Sequence, residues 1–408
     1  MTRHVEPYTQ IESASSVVGA KDSVQYSDLL PSNAHSLEIV RGLKRQTDNA
    51  TVDGRSVSRS ASDDPLFTAS TNIYDEYDRF KVAKTNQSMN EGILNVVGDL
   101  FIPFKGGSDM ASYRIDAMDQ SRSEHEILRE LRLLPPSLRS SLSPKLVDDL
   151  TNNNDISSET QRAIRTLLSQ HSDSDFSKSK AIADNVNADL ERFHAGVKDQ
   201  NSYTTAGTII GDSVTPLKAE SDMAWYRIQA LDRQNTENAL IKELKLLSPK
   251  ERAALPGGTI QDLLSCEDFS DTARKEFANL LSPKQTNYSS SDAVAQNIRS
   301  DFARFNAAIE DQKKDSSLLN VIGDVALSIL EEFRVPGVLK TSSDMATYRI
   351  DELERQRSQR DIVKQIRALT REQRADLPRD LRDALLSNSD MTQGTLATLK
   401  QLLPSEAV

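Results

Sequence analysis

Residues 221–234 read SDMAWYRIQALDRQ, and close copies stand at 108–120 (SDMASYRIDAMDQ) and at 343–356 (SDMATYRIDELERQ). The three strings begin 113 and 122 residues apart. Long strings that recur at such intervals indicate that one unit of the chain is repeated in tandem. The organisation of the chain therefore depends on how far the repetition extends around each string.

The repetition extends well upstream of the string. Arg-Phe pairs recur at steps of 113 and 112 residues, at Arg79-Phe80, Arg192-Phe193 and Arg304-Phe305. The third string comes ten residues later than this step predicts, so the third unit carries a ten-residue insertion within VALSILEEFRVPGVLKTSS (325–343). Units of about 113 residues are larger than the repeats of ordinary solenoids, and they indicate small domains in a row.

Composition and periodicity both predict helices. The chain has only 15 Gly and 14 Pro, and aromatic residues make up 5%. The segment 292–312 places apolar residues at steps of three and four, as one face of a helix requires, at Val294, Ile298, Phe302, Phe305 and Ile309. We therefore predict an all-α protein.

Each unit is predicted to hold a long helix through the Arg-Phe pair, a second long helix through the repeated string, and shorter helices after it. Three serines are the predicted N-caps of the second helix, Ser108, Ser221 and Ser343. The last helix of each unit is predicted to start after Ser157, Ser270 or Thr392.

The predicted domain organisation is an extended array of three helical bundles behind a flexible arm. Residues 1–66 form the Ser- and Asp-rich arm, and repeats 1, 2 and 3 cover 67–176, 177–289 and 290–408. Nine residues are predicted to form the cores of the repeats, because they are apolar or aromatic and recur at equivalent positions: Phe80, Phe193, Phe305, Met110, Tyr113, Met223, Tyr226, Met345 and Tyr348.

The most apolar parts of this polar chain are EGILNVVGDLFIPFKGG (91–107), TTAGTIIGDSVTP (204–216) and LLNVIGDVALSILEEFRVPGVL (318–339). One reading is that they fill the space between the two long helices of each repeat. The other is that they form a subunit or membrane contact, with candidates Leu100, Phe101, Ile102, Phe104, Leu327, Ile329, Leu330 and Phe333. The acidic pair Glu331-Glu332 favours a subunit contact over an anionic bilayer.

Charge and composition exclude several function classes. The net charge is −11, so the basic footprint of a nucleic-acid-binding protein is missing and no specific nucleic-acid binding is predicted. Cys266 is the only cysteine, and the five histidines show no ligand spacing. Glycine-rich phosphate loops and nucleophile elbows are missing from the sequence. We expect no enzyme activity, no cofactor and no metal site.

Some charged residues are also repeated. The arginine of each Arg-Phe pair could pair with the aspartate of a repeated Gly-Asp pair, which would then be structural, at Asp99, Asp212 and Asp324. The arginines after the repeated tyrosine have two readings, a local salt bridge or a ring that binds an anionic partner: Arg114, Arg227 and Arg349.

A polar arm, tandem helical units and no catalytic chemistry together resemble the minor, internal or ejection-type virion proteins of short-tailed bacteriophages. The resemblance rests on this whole pattern. It implies a non-enzymatic structural or assembly protein that is made soluble in the cytoplasm, is incorporated into the virion, and is delivered to the host envelope. Its partners would be virion proteins or further copies of itself, and membrane-surface contact would occur through the apolar stretches.

The alternative is a helical repeat effector that binds a host protein. Tandem helical units with a Trp-Tyr pair, here Trp225-Tyr226, resemble the repeat effectors of oomycetes. Only the second copy has the Trp, since Ser112 and Thr347 take its place in the others.

Overall fold

A computed structural model describes residues 65–94, 103–170, 172–174, 176–202, 216–282, 290–319 and 336–403. All regular secondary structure in these ranges is helical, which confirms the all-α prediction. The first helix begins at Pro65, one residue before the predicted end of the arm at 66.

Fifteen helices lie in the described ranges, five in each sequence repeat. Repeat 1 holds α1 Pro65–Leu94, α2 Pro103–Leu133, α3 Pro136–Arg139, α4 Pro144–Asn152 and α5 Ser158–Leu168. Repeat 2 holds α6 Lys178–Ser202, α7 Pro216–Leu246, α8 Pro249–Ala253, α9 Gly257–Ser265 and α10 Asp271–Leu281. Repeat 3 holds α11 Ser290–Leu319, α12 Pro336–Ala368, α13 Arg371–Ala375, α14 Arg379–Ser387 and α15 Gln393–Leu402.

The predicted start of the second long helix is wrong. The helices begin at prolines rather than at the proposed serine caps Ser108, Ser221 and Ser343, which lie inside α2, α7 and α12. Proline suits the first position of a helix, because its missing N–H would have no intrahelical partner there. The predicted starts of the last helix are confirmed, since it begins directly after Ser157, Ser270 and Thr392, each of which accepts a backbone N–H of the first turn.

The two long helices of each repeat form an antiparallel pair. In repeat 1, Asn72 donates to Glu130 at 3.4 Å, and Arg79 Nε donates to Asp119 at 3.0 Å, so residue numbers rise along α1 as they fall along α2. The last short helix packs on the second long one, α5 on α2 in repeat 1, α10 on α7 in repeat 2 and α15 on α12 in repeat 3. Each repeat has its own hydrophobic cluster, which contains the fully buried phenylalanine of its Arg-Phe pair, Phe80, Phe193 or Phe305.

A buried arginine recurs where each second long helix ends. Arg139 Nε donates to the carbonyl of Leu131 at 2.8 Å, and Arg374 Nε donates to that of Ile366 at 2.9 Å. In repeat 2, Arg252 Nη1 donates to the carbonyl of Leu244 at 3.0 Å. The last carbonyls of a helix have no partner within it, so these guanidinium groups satisfy acceptors that burial would otherwise leave unpaired.

The three repeats pack around a common axis, so the predicted extended array is wrong. Helices α2, α7 and α12 contact one another, and residues at equivalent positions of the three strings form one apolar cluster. Its members are Ile115, Met118, Ile228 and Ile350, with Leu231 and Leu353 against them. The arrangement is closed, because α2 also packs on α6, α7 on α11, and α12 on α1. A single repeat leaves an apolar stripe of its second helix uncovered, and the other two repeats cover it.

We predict that Arg252→Met lowers the free energy of unfolding by about 2–4 kcal/mol, because it removes a donor that buried helix-end carbonyls require. Chemical denaturation followed by circular dichroism measures this change. Lys250→Ala is the matched control on the same short helix, because Lys250 is exposed, and it should change stability by less than about 0.5 kcal/mol. Equal effects of the two substitutions would contradict the role of Arg252.

Candidate functional site

Below the apolar cluster, the axis between α2, α7 and α12 is lined with charge. On α2, Arg122 and Arg129 lie seven residues apart, and both pair with acids of repeat 2. On α12, Arg357 and Lys364 have the same spacing, and both pair with acids of repeat 1. Seven-residue spacing is the repeat of a coiled-coil seam, which normally carries apolar side chains. Here we call the polar part of the seam the charged axis.

The first layer of the charged axis centres on one carboxylate from each repeat. The arginine of each Arg-Phe pair binds the carboxylate of its own repeat. Arg79 Nε donates to Asp119 at 3.0 Å, and Arg192 Nε donates to Asp232 at 2.9 Å. The third pair is Arg304 and Glu354, at 2.8 Å. Asp99, Asp212 and Asp324, which the sequence offers as partners for these arginines, lie outside the described residues, so that pairing stays a prediction.

The same carboxylates also bind the next repeat, in a closed cycle. Arg122 of repeat 1 lies 3.9 Å from Asp232 of repeat 2. In turn, Asn235 of repeat 2 donates to Glu354 of repeat 3 at 2.9 Å.

Arg357 of repeat 3 completes the cycle, since it donates to Asp119 of repeat 1 at 2.8 Å. Arg122, Asn235 and Arg357 occupy one position of the repeated unit, and the three carboxylates that they face occupy another. The repeats are therefore related by an approximate threefold rotation.

A second layer joins each second long helix to the first helix of the next repeat. Lys364 lies 2.7 Å from Glu76, and Lys242 lies 2.5 Å from Asp301. Between repeats 1 and 2 a histidine takes this place, and His125 Nε2 donates to Asp189 at 2.6 Å. The three acids again share one position of the unit, so this layer follows the same cycle.

The basic neighbours set the protonation of the first layer. Burial by itself would raise the pKa of Asp119, but Arg79 and Arg357 outweigh it and hold that pKa well below its usual range. Burial is likewise outweighed at Asp232, where Arg192 and Arg122 lower the pKa. These carboxylates are therefore ionised over the ordinary pH range.

Not every buried acid is so well compensated. Burial raises the pKa of Glu243 to about 8, although Arg129 Nε lies 2.8 Å from it and opposes the shift. Burial also raises the pKa of Asp301, against Lys242. The charged axis thus holds acids of both kinds, and the arginines and lysines named above are paired with acids. Among them, the pairs Arg129–Glu243 and Lys242–Asp301 join helices of different repeats.

The structure describes only part of the predicted core set. Phe80, Phe193 and Phe305 are fully buried, and Tyr113 is partly buried. Tyr226 is 43% exposed, so its assignment to the core is wrong. The buried residue is Ile228, two positions later, because two steps along a helix turn a side chain to the opposite side. The remaining side chains of the set lie outside the described ones: Met110, Met223, Met345 and Tyr348.

The candidate contact residues also lie outside the described part of the chain. Phe104 belongs to α2, but its side chain is not among those described. The others fall in undescribed segments: Leu100, Phe101, Ile102, Leu327, Ile329, Leu330 and Phe333. Their assignment to a subunit or membrane contact stays a prediction.

Sequence reasoning missed the carboxylates that organise the axis. The signal was present, since the twelfth position of each repeated string is acidic, at Asp119, Asp232 and Glu354. An acid in a helix pattern usually lies on a solvated face, so its repetition was the only indication of a structural role.

Within the described residues, no group of three or more His, Cys, Asp or Glu side chains is placed to hold a metal ion. None of the described helices is long and apolar enough to cross a membrane. Comparison with known protein families, with characterised proteins and with solved structures found no match. The function must therefore be argued from the arrangement of this chain alone.

We predict that Ile228→Ala costs about 2–4 kcal/mol of unfolding free energy, since it opens a cavity where three helices meet. Tyr226→Ala should cost less than about 1 kcal/mol, because that side chain is largely in solvent. Urea denaturation of both variants tests the assignment. A larger loss for Tyr226→Ala than for Ile228→Ala would restore the tyrosine to the core.

We predict that Asp119→Asn lowers stability by about 3–5 kcal/mol at pH 7, because Arg79 and Arg357 lose their shared partner. The folded pKa of Asp119 is depressed, so its contribution is present above the unfolded pKa of about 3.9 and is lost as pH falls. The difference between variant and parent should accordingly shrink towards pH 2, as denaturation across pH would show.

The matched control for that substitution is Asp155→Asn. Asp155 pairs with Lys84 at 3.6 Å on the surface, where ion pairs contribute little. A change below about 0.5 kcal/mol at every pH is expected. If Asp119→Asn behaved like this control, the shared carboxylate would not hold the axis together.

Proposed function

We propose that the chain is a non-enzymatic structural protein that works by assembly, as a virion component of the internal or ejection type. The observation that carries the proposal is the closed cycle of contacts at equivalent positions of the three repeats. The ionic side chains of the axis bind one another, and they build a closed threefold bundle. Such a bundle suits a part that is built into a larger particle.

The ends of the helix pairs support an assembly role. Each pair is antiparallel, and the three second helices run side by side in one direction, so three pairs of helix ends lie at one end of the bundle. These ends are Leu94 and Pro103, Ser202 and Pro216, and Leu319 and Pro336. By sequence, the three most apolar stretches of the chain overlap the segments between these ends. We propose that this end contacts other subunits and the surface of the cell envelope.

One observation favours the alternative, a helical repeat protein that binds a host protein. Tyr226 is largely exposed, and in sequence it follows the single Trp of the chain. Exposed aromatic residues are common anchors of protein interfaces. In that case Tyr226→Ala would abolish binding to a host protein while leaving the fold intact.

Light scattering and vesicle flotation test the primary proposal. The parent should form oligomers of its 45.3 kDa chain as concentration rises, and it should float with vesicles of neutral phospholipid. The double substitution Phe101→Glu and Phe333→Glu should weaken both properties, since it charges two of the apolar stretches.

Leu264→Glu is the control substitution. Leu264 is 48% exposed on α9, which follows the opposite end of α7 from the apolar stretches. This variant should assemble and float like the parent. A parent that stays monomeric at every concentration and ignores vesicles would overturn the proposal.

A further inference from the structure

The interfaces between the repeats are all of the head-to-tail kind. In each of them the second long helix of one repeat supplies the basic groups, and the next repeat supplies the acids, as Lys242 does with Asp301 and Lys364 does with Glu76. A head-to-tail interface closes into a ring when the rotation between successive units fits, and otherwise it joins molecule after molecule into a filament. Here three repeats close the ring within one chain.

One of the three interfaces differs from the others because no linker crosses it. Nine residues join α5 to α6, and eight join α10 to α11, so repeat 2 is tied to both of its neighbours. Repeat 3 meets repeat 1 only through non-covalent contacts. We call this contact the closing seam.

The closing seam is strongly ionic. Repeat 3 supplies the cations and repeat 1 the anions, in the pairs Arg357–Asp119, Lys364–Glu76, Lys364–Glu126 and Arg367–Asp75. The shared apolar contact lies in the cluster that includes Ile115 and Ile350. Along three successive turns of α12, cations of repeat 3 therefore face anions of repeat 1.

Ionic seams open at lower cost than apolar ones, because separated charges regain their hydration while separated apolar groups do not. A second copy of the chain presents the same acidic edge on its own repeat 1. Its repeat 1 can therefore satisfy every cation of the opened repeat 3 without any new contact. The eight residues before α11 span up to about 30 Å when extended, which is enough for repeat 3 to leave its own repeat 1.

We infer that the closing seam is a self-association surface, and that its partner is a second copy of this chain. Repeat 3 of each copy takes the place of repeat 3 in the other copy and docks there on repeats 1 and 2, which gives a closed dimer with exchanged seams. This inference rests on the proposed assembly function, and it names the surface through which copies of the chain join.

Isotope exchange tests the inference on the unaltered chain. Copies labelled with ¹⁴N and ¹⁵N are mixed in about 1 M salt, where the screening length is about 3 Å, and are then returned to low salt. A carbodiimide then joins each lysine to its paired carboxylate, and mass spectrometry identifies the products. We expect a dimer of roughly 91 kDa, twice the 45.3 kDa chain, and ¹⁴N–¹⁵N hybrids of the Lys364–Glu76 product.

The pair Lys313–Asp390, 3.4 Å apart, is the internal control, because both residues belong to repeat 3 and stay together when that repeat is exchanged. Its product should carry a single isotope in every molecule. A chain that remains monomeric by light scattering after this treatment overturns the inference. A dimer whose Lys364–Glu76 product carries a single isotope also overturns it, but leaves the proposed assembly function standing through another surface.

A pair of charge reversals gives a second test. Lys364→Glu cannot close its own seam against Glu76, and Glu76→Lys cannot close its own seam against Lys364. In a dimer of the two variants, however, one seam pairs the introduced glutamate of Lys364→Glu with the introduced lysine of Glu76→Lys. The other seam keeps the parental pair Lys364–Glu76. Each variant alone should form no exchanged dimer, and an equal mixture should form a one-to-one dimer of the two variants.

Circular dichroism first establishes that both variants are folded. Folded variants that remain monomeric when mixed contradict the exchange of seams. Should either variant fail to fold, the isotope experiment on the parent chain decides the question.

Discussion

The carboxylate that each central helix places beside the axis is shared between two repeats, and the arrangement of the molecule depends on this sharing. Asp119 binds Arg79 of its own repeat and Arg357 of another. The first contact joins the two long helices of a repeat, and the second joins one repeat to the next. A single side chain thus couples the internal fold of a repeat to the assembly of all three. Because the position recurs in Asp232 and Glu354, the coupling runs around the whole ring.

A charged seam contributes specificity more than stability. Burying ions costs much of the attraction between them, and an apolar seam of the same shape is often at least as stable. An apolar seam, however, tolerates a shift by one heptad, because most apolar side chains fit most positions. The charged axis does not tolerate such a shift, since each donor would then face the wrong partner. The polar groups therefore fix three helices in one register, and the exceptions, such as Asn235 and His125, distinguish one interface from the next.

The string occurs three times because each repeat contributes side chains to the same layers around the axis. The isoleucine of the string lies in the apolar cluster on the axis. The shared carboxylate comes four residues later in every copy. Each copy supplies both groups, because each repeat fills one of the three positions around the axis. The short helices recur for a related reason. Glu124 and Glu237 on the central helices accept the backbone N–H and the hydroxyl of Ser157 and Ser270, and these contacts anchor the last helix of their repeats.

Local patterns in the sequence determined the helices, their approximate ends and the threefold repetition. Periodic apolar residues predict a helix, and serine or threonine caps mark its start, because both effects act within a few residues. The buried phenylalanines could be assigned for the same reason. The sequence also held the acid at the twelfth position of each string, but local rules place an acid in solvent. Only the tertiary structure decided that Asp119 meets Arg357, 238 residues away, and that Ile228 rather than Tyr226 is buried. Both outcomes depend on the closing of the ring, and that closing is set by contacts between distant residues whose charges cancel only when all three repeats are in place.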